Sequence, residues 1–415
     1  MSNTTLQADV VAKASLAILE NELGWVNKLY QEHEAEYSKN VNGYKVGDTI
    51  RIRRPADFTV RTGATLSTQD VIEGYTTLVV DQQIGVDFSF SSTDLTLKIE
   101  DLATRVIKPA MSSIINYMAN DVATKMYQGT YNWAGTAGQT INSFADFAKG
   151  PERLDEMTVP QDGRLGLLSP ADYWGLVGSQ TTLNNGGLVA DAFKAGRLPM
   201  IGNVDCYMSA VTPSHTNGTA DNTTPLTDGN SQQVTYDTAK NTWTQSLVTD
   251  GWDTSSTLTA GTVFTIDGVY MVNPKTKAAT GILQQFVVTA DTTANETTTA
   301  DTTLTIAPPI IVTGPHKTTT YSGNFDGRTI TVLGTASTAY RQNMVFHKNA
   351  MALAMVPMEL PSGAYGAARE TYKGMSCRVI PIYDGTNDLS KWRLDLLYGR
   401  KLLDPRLITR LSGSA

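Results

Sequence analysis

Cysteine and histidine are scarce, and the shortage closes off whole classes of chemistry. The two cysteines, Cys206 and Cys377, lie far apart, so neither a disulfide framework nor a thiolate zinc cluster can be read. A reducing cytosol is the simpler compartment for such a chain. The four histidines, His33, His215, His316 and His347, include no His-x3-His pair, which removes the helical zinc-protease spacing. His33-Glu34 opens like that motif, but Tyr37 stands where its second histidine belongs. Basic charge is short as well. Thirty-three Lys and Arg against forty Asp and Glu leave a formal charge of −7, too acidic for a protein that coats nucleic acid by neutralising phosphates. No apolar run approaches the ~20 residues that span a bilayer. The opening stretch has no basic segment followed by a continuous apolar one, so export by a signal peptide is not expected.

Motifs for phosphate and acyl chemistry are missing too. No G-x-S-x-G elbow occurs, and no G-x-G-x-x-G follows a strand. Gly314 to Lys317, followed by Thr318, resembles a phosphate loop only loosely, because Pro315 removes a backbone donor; a turn is the better reading. Asp291, Glu296 and Asp301 miss the spacing of a twelve-residue calcium loop and read as a solvated segment. No catalytic residue, metal or cofactor is expected.

What is present is a folded chain. A 41% hydrophobic fraction over 415 residues can bury a core, and the length suggests about two or three domains. Ala12, Leu16, Leu19, Leu23, Val26 and Tyr30 recur at helical steps and predict an amphipathic helix over 8–30, weakened by Gly24. Such a terminal helix packs on its own domain or serves as an arm on a neighbour. From Gly43 to Ser91 the period becomes two. Ile50 and Ile52 alternate with Arg51 and Arg53, and Leu78, Val80, Ile84, Val86, Phe88 and Phe90 mark return strands. The polar, glycine-punctuated stretch between them is a loop tip, so the whole reads as an extended hairpin. A lone hairpin is marginally stable in water and must lie on something else.

A helical stretch starting at Ser92 or Thr93 follows, served by Leu95, Leu97, Leu102 and Val106. Pro109 restarts or kinks it, and Gly129 stops it. Beyond it, NSFADFAKGPERLDEM predicts short helices, GRLGLLSPADYWGLVGS a strand, turn and helix, and VDCYMSAV a buried strand. Between Thr212 and Ala336 roughly a quarter of residues are threonine, a composition that marks a separate β-rich unit. Asp267-Gly268, Asn273-Pro274 and Asp326-Gly327 are its turn signals. Because the earlier composition resumes near Tyr340, this unit reads as an insertion into its host. CRVIPIY and KWRLDLLYGRKLL around YDGTNDLS predict a closing hairpin. Basic residues gather at Arg51, Arg53, Arg54 and Arg61, and again at Arg393, Arg400, Lys401, Arg406 and Arg410. They read as solvated faces or as partners for an acidic patch on an adjacent copy.

The order of these elements resembles the major coat proteins of tailed bacteriophages with the HK97-type fold, and within them the P22-like branch with an inserted β domain. The resemblance is carried by the hairpin Gly47–Phe90, the segment Phe88–Tyr127, LLSPADYWGLV, QNMVFHKNAMALAMVPMELP with Phe346, His347, Lys348 and Ala350, and LDLLYGRKLLDPRLITRL with Tyr398, Gly399, Pro405 and Arg406. It implies an α+β capsid fold. Residues 1–42 would be an N-terminal arm, 43–91 the extended loop, and 92–160 the spine helix and peripheral domain. Residues 161–211 and 337–375 would form an axial domain, 212–336 a barrel-like inserted domain, and 376–415 the C-terminal strands of the peripheral domain.

The resemblance also implies a function. The chain would be a shell subunit, not an enzyme, forming pentamers and hexamers of an icosahedral head around double-stranded DNA without sequence-specific binding. Partners would be a scaffolding protein, a portal and a decoration protein, with assembly in the host cytoplasm through a precursor that expands. Relatives that weld subunits by an isopeptide bond need a loop-tip lysine, and Arg61 to Gly74 contains none, so noncovalent cohesion is expected. Candidate contact residues between subunits are Trp25, Arg51, Arg53, Arg54, Arg61, Arg400 and Arg406. The competing readings are a tail or host-adhesion β protein, or an encapsulin-like compartment shell.

Overall fold

A computed structural model describes residues 8–31, 40–41, 44–45, 49–66, 68–91, 103–180, 200–220, 225–295, 301–361, 363, 366–372 and 375–414. The helix starters Ser92 and Thr93, together with Leu95, Leu97 and Leu102, lie outside these residues, as do His33, Gly47 and Glu296. The chain forms two compact units. One contains Met1–Arg51, Thr77–Val122 and Met351–Lys401; the other contains Ile52–Thr76, Ala123–Ala350 and Leu402–Ala415.

Helix α1 spans Ala8–Glu22, and a 3-10 turn follows at Gly24–Lys28. The predicted helix to residue 30 stops early because Gly24 takes φ 57°, a left-handed conformation that glycine adopts without a Cβ penalty. Val11, Ala12, Leu16 and Leu19 are buried, and the helix packs against its own chain at Ala368–Tyr372 and Met375–Asp384.

Strands β1 (Thr49–Arg53) and β2 (Tyr75–Val79) form a two-stranded sheet, and β3 (Gln82–Ser91) follows. The expected hairpin of two long strands is therefore shorter. Only its root pairs with itself, while β3 pairs antiparallel along its whole length with Leu389–Leu402, from Gln82 opposite Tyr398 to Ser91 opposite Leu389. Ile84, Val86, Phe88 and Phe90 share one face of β3, and that stripe is better covered within a wide sheet than in an isolated ribbon.

A π turn at Ala103–Ile107 leads into α2 (Lys108–Gly129). Pro109 has no N–H and its ring crowds the carbonyl four residues back, so the wider turn lies where a regular α-helix would be obstructed. Met111, Ile114, Met118, Val122 and Met126 form the buried stripe of α2. The next elements are β4 (Trp133–Ala134), α3 (Phe144–Glu156), β5 (Arg164–Leu168), α4 (Pro170–Gln180), β6 (Val204–Met208) and β7 (Ser214–Thr216).

Both α3 and α4 begin on the same device. The Ser143 hydroxyl accepts from Asp146 N at 3.1 Å and donates to its carboxylate at 2.7 Å, and Ser169 and Asp172 repeat the pairing. Asp172 also accepts from Ile141 N at 2.8 Å and Asn343 Nδ2 at 2.9 Å, which anchors the helix start. Strand β6, expected to be buried, is an edge strand beside β5 and only its first residue is buried.

The threonine-rich segment supplies β8 (Leu226–Thr227), β9 (Gln245–Asp250), β10 (Val263–Val272), β11 (Ala279–Val288), β12 (Thr302–Ala307), β13 (Thr319–Thr320) and β14 (Ile330–Val332). They form one sheet in the order β8-β9-β12-β11-β10-β13, with β14 also on β10. Hydrogen bonds from Thr227 N to Arg328 O at 2.9 Å and Ile330 N to Pro225 O at 2.8 Å join the β14 side back to β8, so the sheet curls into a barrel. Asp267-Gly268 is not the predicted turn. It lies inside β10, where the register against β11 slips, and acts as a bulge that bends the strand.

Strand β15 (Ala339–Arg341) pairs antiparallel with β7, Tyr340 opposite His215, which brings the two ends of the segment together. The strands that follow are β16 (Asn343–His347), β17 (Met351–Met355), β18 (Ala368–Tyr372), β19 (Met375–Asp384), β20 (Leu389–Leu402) and β21 (Ile408–Leu411). One five-stranded sheet runs β17-β20-β19-β18 with β3 on β20; the other runs β4-β21-β16-β5-β6. The C-terminal strands expected as one set over 376–415 thus divide, because β21 leaves β20 and enters the second sheet. The span 337–375 divides in the same way between β16 and β17.

Candidate contact surface

The loop between β1 and β2 has structure of its own. Thr59 N and Oγ1 each donate to Gln69 Oε1 at 2.9 Å, and Gln69 Nε2 returns a bond to Thr59 O at 2.6 Å. Arg61 donates to Thr65 O at 3.0 Å and also to Gly63 O, which folds the tip over its own guanidinium. The apolar side chains are left pointing outward: Phe58 is 55% exposed, Val60 94%, Leu66 78% and Val71 63%. Four of the exposed large apolar side chains among the described residues thus fall on this one loop. In the other unit Ile84, Val86, Ile114 and exposed Tyr117 line a groove that is mostly apolar.

The basic candidates separate by location. Arg51 and Arg53 are exposed on β1, and Arg53 pairs with Glu73 at 3.3 Å across the loop root. An ion pair this exposed contributes little to stability and leaves the cation accessible. Arg54, one residue on, is half-buried with its guanidinium 5.4 Å from the Trp243 ring centroid, and burial lowers its pKa. Trp25 is buried.

Arg400 is 9% exposed and holds Asp81 at 3.0 Å and Asp121 at 2.9 Å. Tyr398 donates its hydroxyl to the same Asp121 at 2.7 Å, and burial with that carboxylate raises its pKa. Arg406 forks onto Asp404 at 2.8–3.0 Å, and the Asp404 charge raises the pKa of the guanidinium. Trp25, Arg54, Arg400 and Arg406 are thus buried or half-buried within the chain, whereas Arg51, Arg53 and Arg61 are exposed, the last two with partners in their own loop.

Arg410 is the residue that sequence reading misplaced most. Grouped with a solvated basic cluster, it is fully buried. It donates to Gly261 O at 2.7 Å, Gln342 Oε1 at 3.3 Å and Tyr127 O, and lies 5.4 Å and 5.6 Å from the Tyr127 and Trp133 ring centroids. Burial pushes its pKa down to about 9, and burial together with this neighbouring cation pushes His215 down to about 4. The resemblance placed Arg410 among C-terminal strands, but nothing along the chain shows that both faces of its strand are covered.

Burial pushes the Cys206 and Cys377 thiols up to about 12, the opposite of what a nucleophile needs. Gly314 to Lys317 is a turn, closed by Lys317 N on Gly314 O. Among the described residues no group of three or more His, Cys, Asp or Glu could hold a metal ion, and no helix is long and apolar enough to cross a membrane.

Residues 26–413 match the family described as P22 coat protein, gene protein 5, and the chain belongs to that family. It is a structural protein rather than an enzyme: a major capsid protein whose copies assemble into the shell of a phage head. No curated protein sequence matches it. Among solved structures it is similar to that of Mycobacterium phage Che8, at 13% identity and TM-score 0.47 over 93% of this chain and 89% of that one. A capsid structure of cyanophage P-SCSP1u gives 11% identity and 0.42 over 89% and 85%. The mature capsid of bacteriophage PhiM1 gives 11% and 0.42 over 88% and 82%. Family membership rests on the family match, which also displaces the tail and host-adhesion reading.

Proposed function

We propose that this chain builds an icosahedral HK97-type head enclosing double-stranded DNA, and that it does so by laying the loop between β1 and β2 across a neighbouring copy. The observation that carries this reading is the outward display of Phe58, Val60, Leu66 and Val71. Burying one such side chain contributes about 1.5–3 kcal/mol, so a few of them supply a modest contact that multivalent closure makes durable. The apolar groove at Ile84, Val86, Ile114 and Tyr117 is a suitable receiving face. Arg51, Arg53 and Arg61 supply charge around the contact.

The domain plan follows the resemblance as amended by the strand pairing: an arm over 1–42, an extended loop whose strand 82–91 belongs to the sheet of Leu389–Leu402, and spine helix and peripheral domain over 92–160. An axial domain is split over 161–211 and a second part that begins at 337 and loses Met351–Met355 to that same sheet, with a β-barrel inserted at 212–336. Pairing of β7 with β15 supports the insertion, since it closes the entry and exit of that segment on each other. Pentamers and hexamers form in the host cytoplasm around a scaffolding protein, a portal replaces one pentamer, and the precursor expands. A decoration protein can bind the outside. Cohesion is noncovalent, because the tip from Arg61 to Gly74 has no lysine for an isopeptide bond.

Electron microscopy of the purified chain tests this reading. Closed shells or capsomers are expected, and a variant with Phe58, Val60, Leu66 and Val71 all replaced by serine should remain folded yet form none. Closed shells from that variant at wild-type yield would overturn it. Boiled, denatured heads should run as a single band; a ladder would contradict noncovalent cohesion.

A further inference from the structure

The root of the exposed loop is held differently from its tip. Arg54 N donates to Gly74 O at 2.8 Å, and Tyr75 N donates to Asn241 Oδ1 at 3.2 Å. A Cβ on Gly74 would sit 2.4 Å from Lys240 O, so only glycine lets the loop backbone lie this close to that of the barrel segment. The Arg54 guanidinium rests over Trp243. Beside it, the Asp57 carboxylate faces Lys277 Nζ at 3.5 Å, Arg406 Nη1 at 3.7 Å and His316 Nδ1 at 3.9 Å. The His316 ring is itself stacked on Tyr236, with centroids 3.5 Å apart and planes 7° from parallel. Lys277 and Asp57 are largely shielded from water, 12% and 21% exposed at the side chain, which strengthens their attraction relative to a surface pair. Phe58, one residue further, is exposed.

We propose that Asp57 is the positioning residue of an intrachain latch, in which Lys277 and His316 of the 212–336 segment and Arg406 of the Pro405–Leu407 turn receive its carboxylate and clamp the loop root in place. The latch fixes where the loop leaves the subunit, so the barrel aims the apolar tip before any neighbour is present. Ordering the root in advance reduces the entropy lost when the tip binds, which is the general advantage of preorganisation. The apolar tip stays outside the clamp and free to reach another copy. The importance of the latch for assembly rests on the proposed function; its existence does not.

Trypsin reads the latch directly in unassembled full-length subunits. The Arg53–Arg54 bond lies inside it and the Arg61–Thr62 bond outside, so single-hit digestion of the wild type should cut the outer bond at least ~10-fold faster. Asp57→Asn should speed the inner cut about 5-fold and leave the outer one unchanged, while Asp57→Glu, which keeps the carboxylate, should behave as wild type. Equal rates at both bonds in the wild type would overturn the latch, as would an inner cut indifferent to Asp57→Asn, or Glu behaving like Asn. Hydrogen exchange on the wild type supplies a reading that needs no variant: the Tyr75 amide should be protected, and exchange there as fast as in the tip would sink the proposal. Loss of shells in the serine tip variant with an intact cleavage pattern would leave both readings standing, whereas wild-type shell yield there would remove the assembly role alone.

Discussion

Arg400 and Asp121 meet across 279 positions of sequence, the Nη2 of one 2.9 Å from the Oδ1 of the other. The contact ties β20 to α2, and Tyr398 adds its hydroxyl to the same carboxylate. Asp81 holds the other side of the guanidinium but is 53% exposed, against 18% for Asp121.

Exposure therefore ranks the two acids. Asp121→Asn should lower the unfolding free energy by about 1.5–3 kcal/mol, because it weakens two charge-assisted hydrogen bonds at a shielded site. Asp81→Asn should cost less than about 1 kcal/mol. Urea midpoints of the two variants against wild type check the ordering; an equal loss would show that burial is not what matters here.

Gly399 is sterically required. A Cβ there would lie 2.3 Å from Val79 O and 2.9 Å from Val80 Cα, both backbone atoms with little room to move. Gly399→Ala should destabilise by about 1–3 kcal/mol or more. Gly178→Ala, on an exposed turn of α4 with nothing within 4 Å of the added atom, should instead stabilise by about 0.5–1 kcal/mol. Thermal melts of the pair separate steric need from mere helix propensity.

His215 makes stability depend on acid. It is 3% exposed, bonded to Thr262 Oγ1 at 3.3 Å, and held down to about 4 by burial, with Arg410 adding to the effect and Asp291 opposing it. A depressed folded pKa favours the neutral ring. Its contribution is therefore complete above the unfolded value near 6.5 and is lost as pH falls from there toward 4. The loss is on the order of 3 kcal/mol. Unfolding free energies measured at pH 7.5 and 4.5 should differ by that much more in the wild type than in His215→Gln; parallel curves would refute the assignment.

The barrel uses alternation to face two cores. Phe264, Ile266, Phe286, Val288 and Ile306 fill its interior, while Val263, Met271, Val287 and Ala307 join Trp133, Phe147 and Tyr340 in a second cluster. A fragment of residues 212–336 should give a dispersed amide spectrum, since its interior is its own, yet self-associate because that outer face is uncovered. Sedimentation and NMR check both halves. A disordered spectrum would show that the second core is needed for folding.

Local chemistry was legible in the sequence. The Ser-Pro start of α4, the stop at Gly129 and the closing hairpin at Asp384–Leu389 all depend on neighbours within a few residues, which the chain order supplies. The threonine-rich composition marked a β-rich segment, and period-two runs located its long strands. Pairing choices were not legible. That β3 lies on β20 rather than on β1, that β21 leaves its predecessor for another sheet, and that Arg410 is buried while Arg53 is not, each depend on residues hundreds of positions away. Alternation states that a strand has two faces and a cation has a long stem; only tertiary packing decides what covers each face and where each charge finds its counterpart, because burial and electrostatic pairing are properties of neighbours in space rather than along the chain.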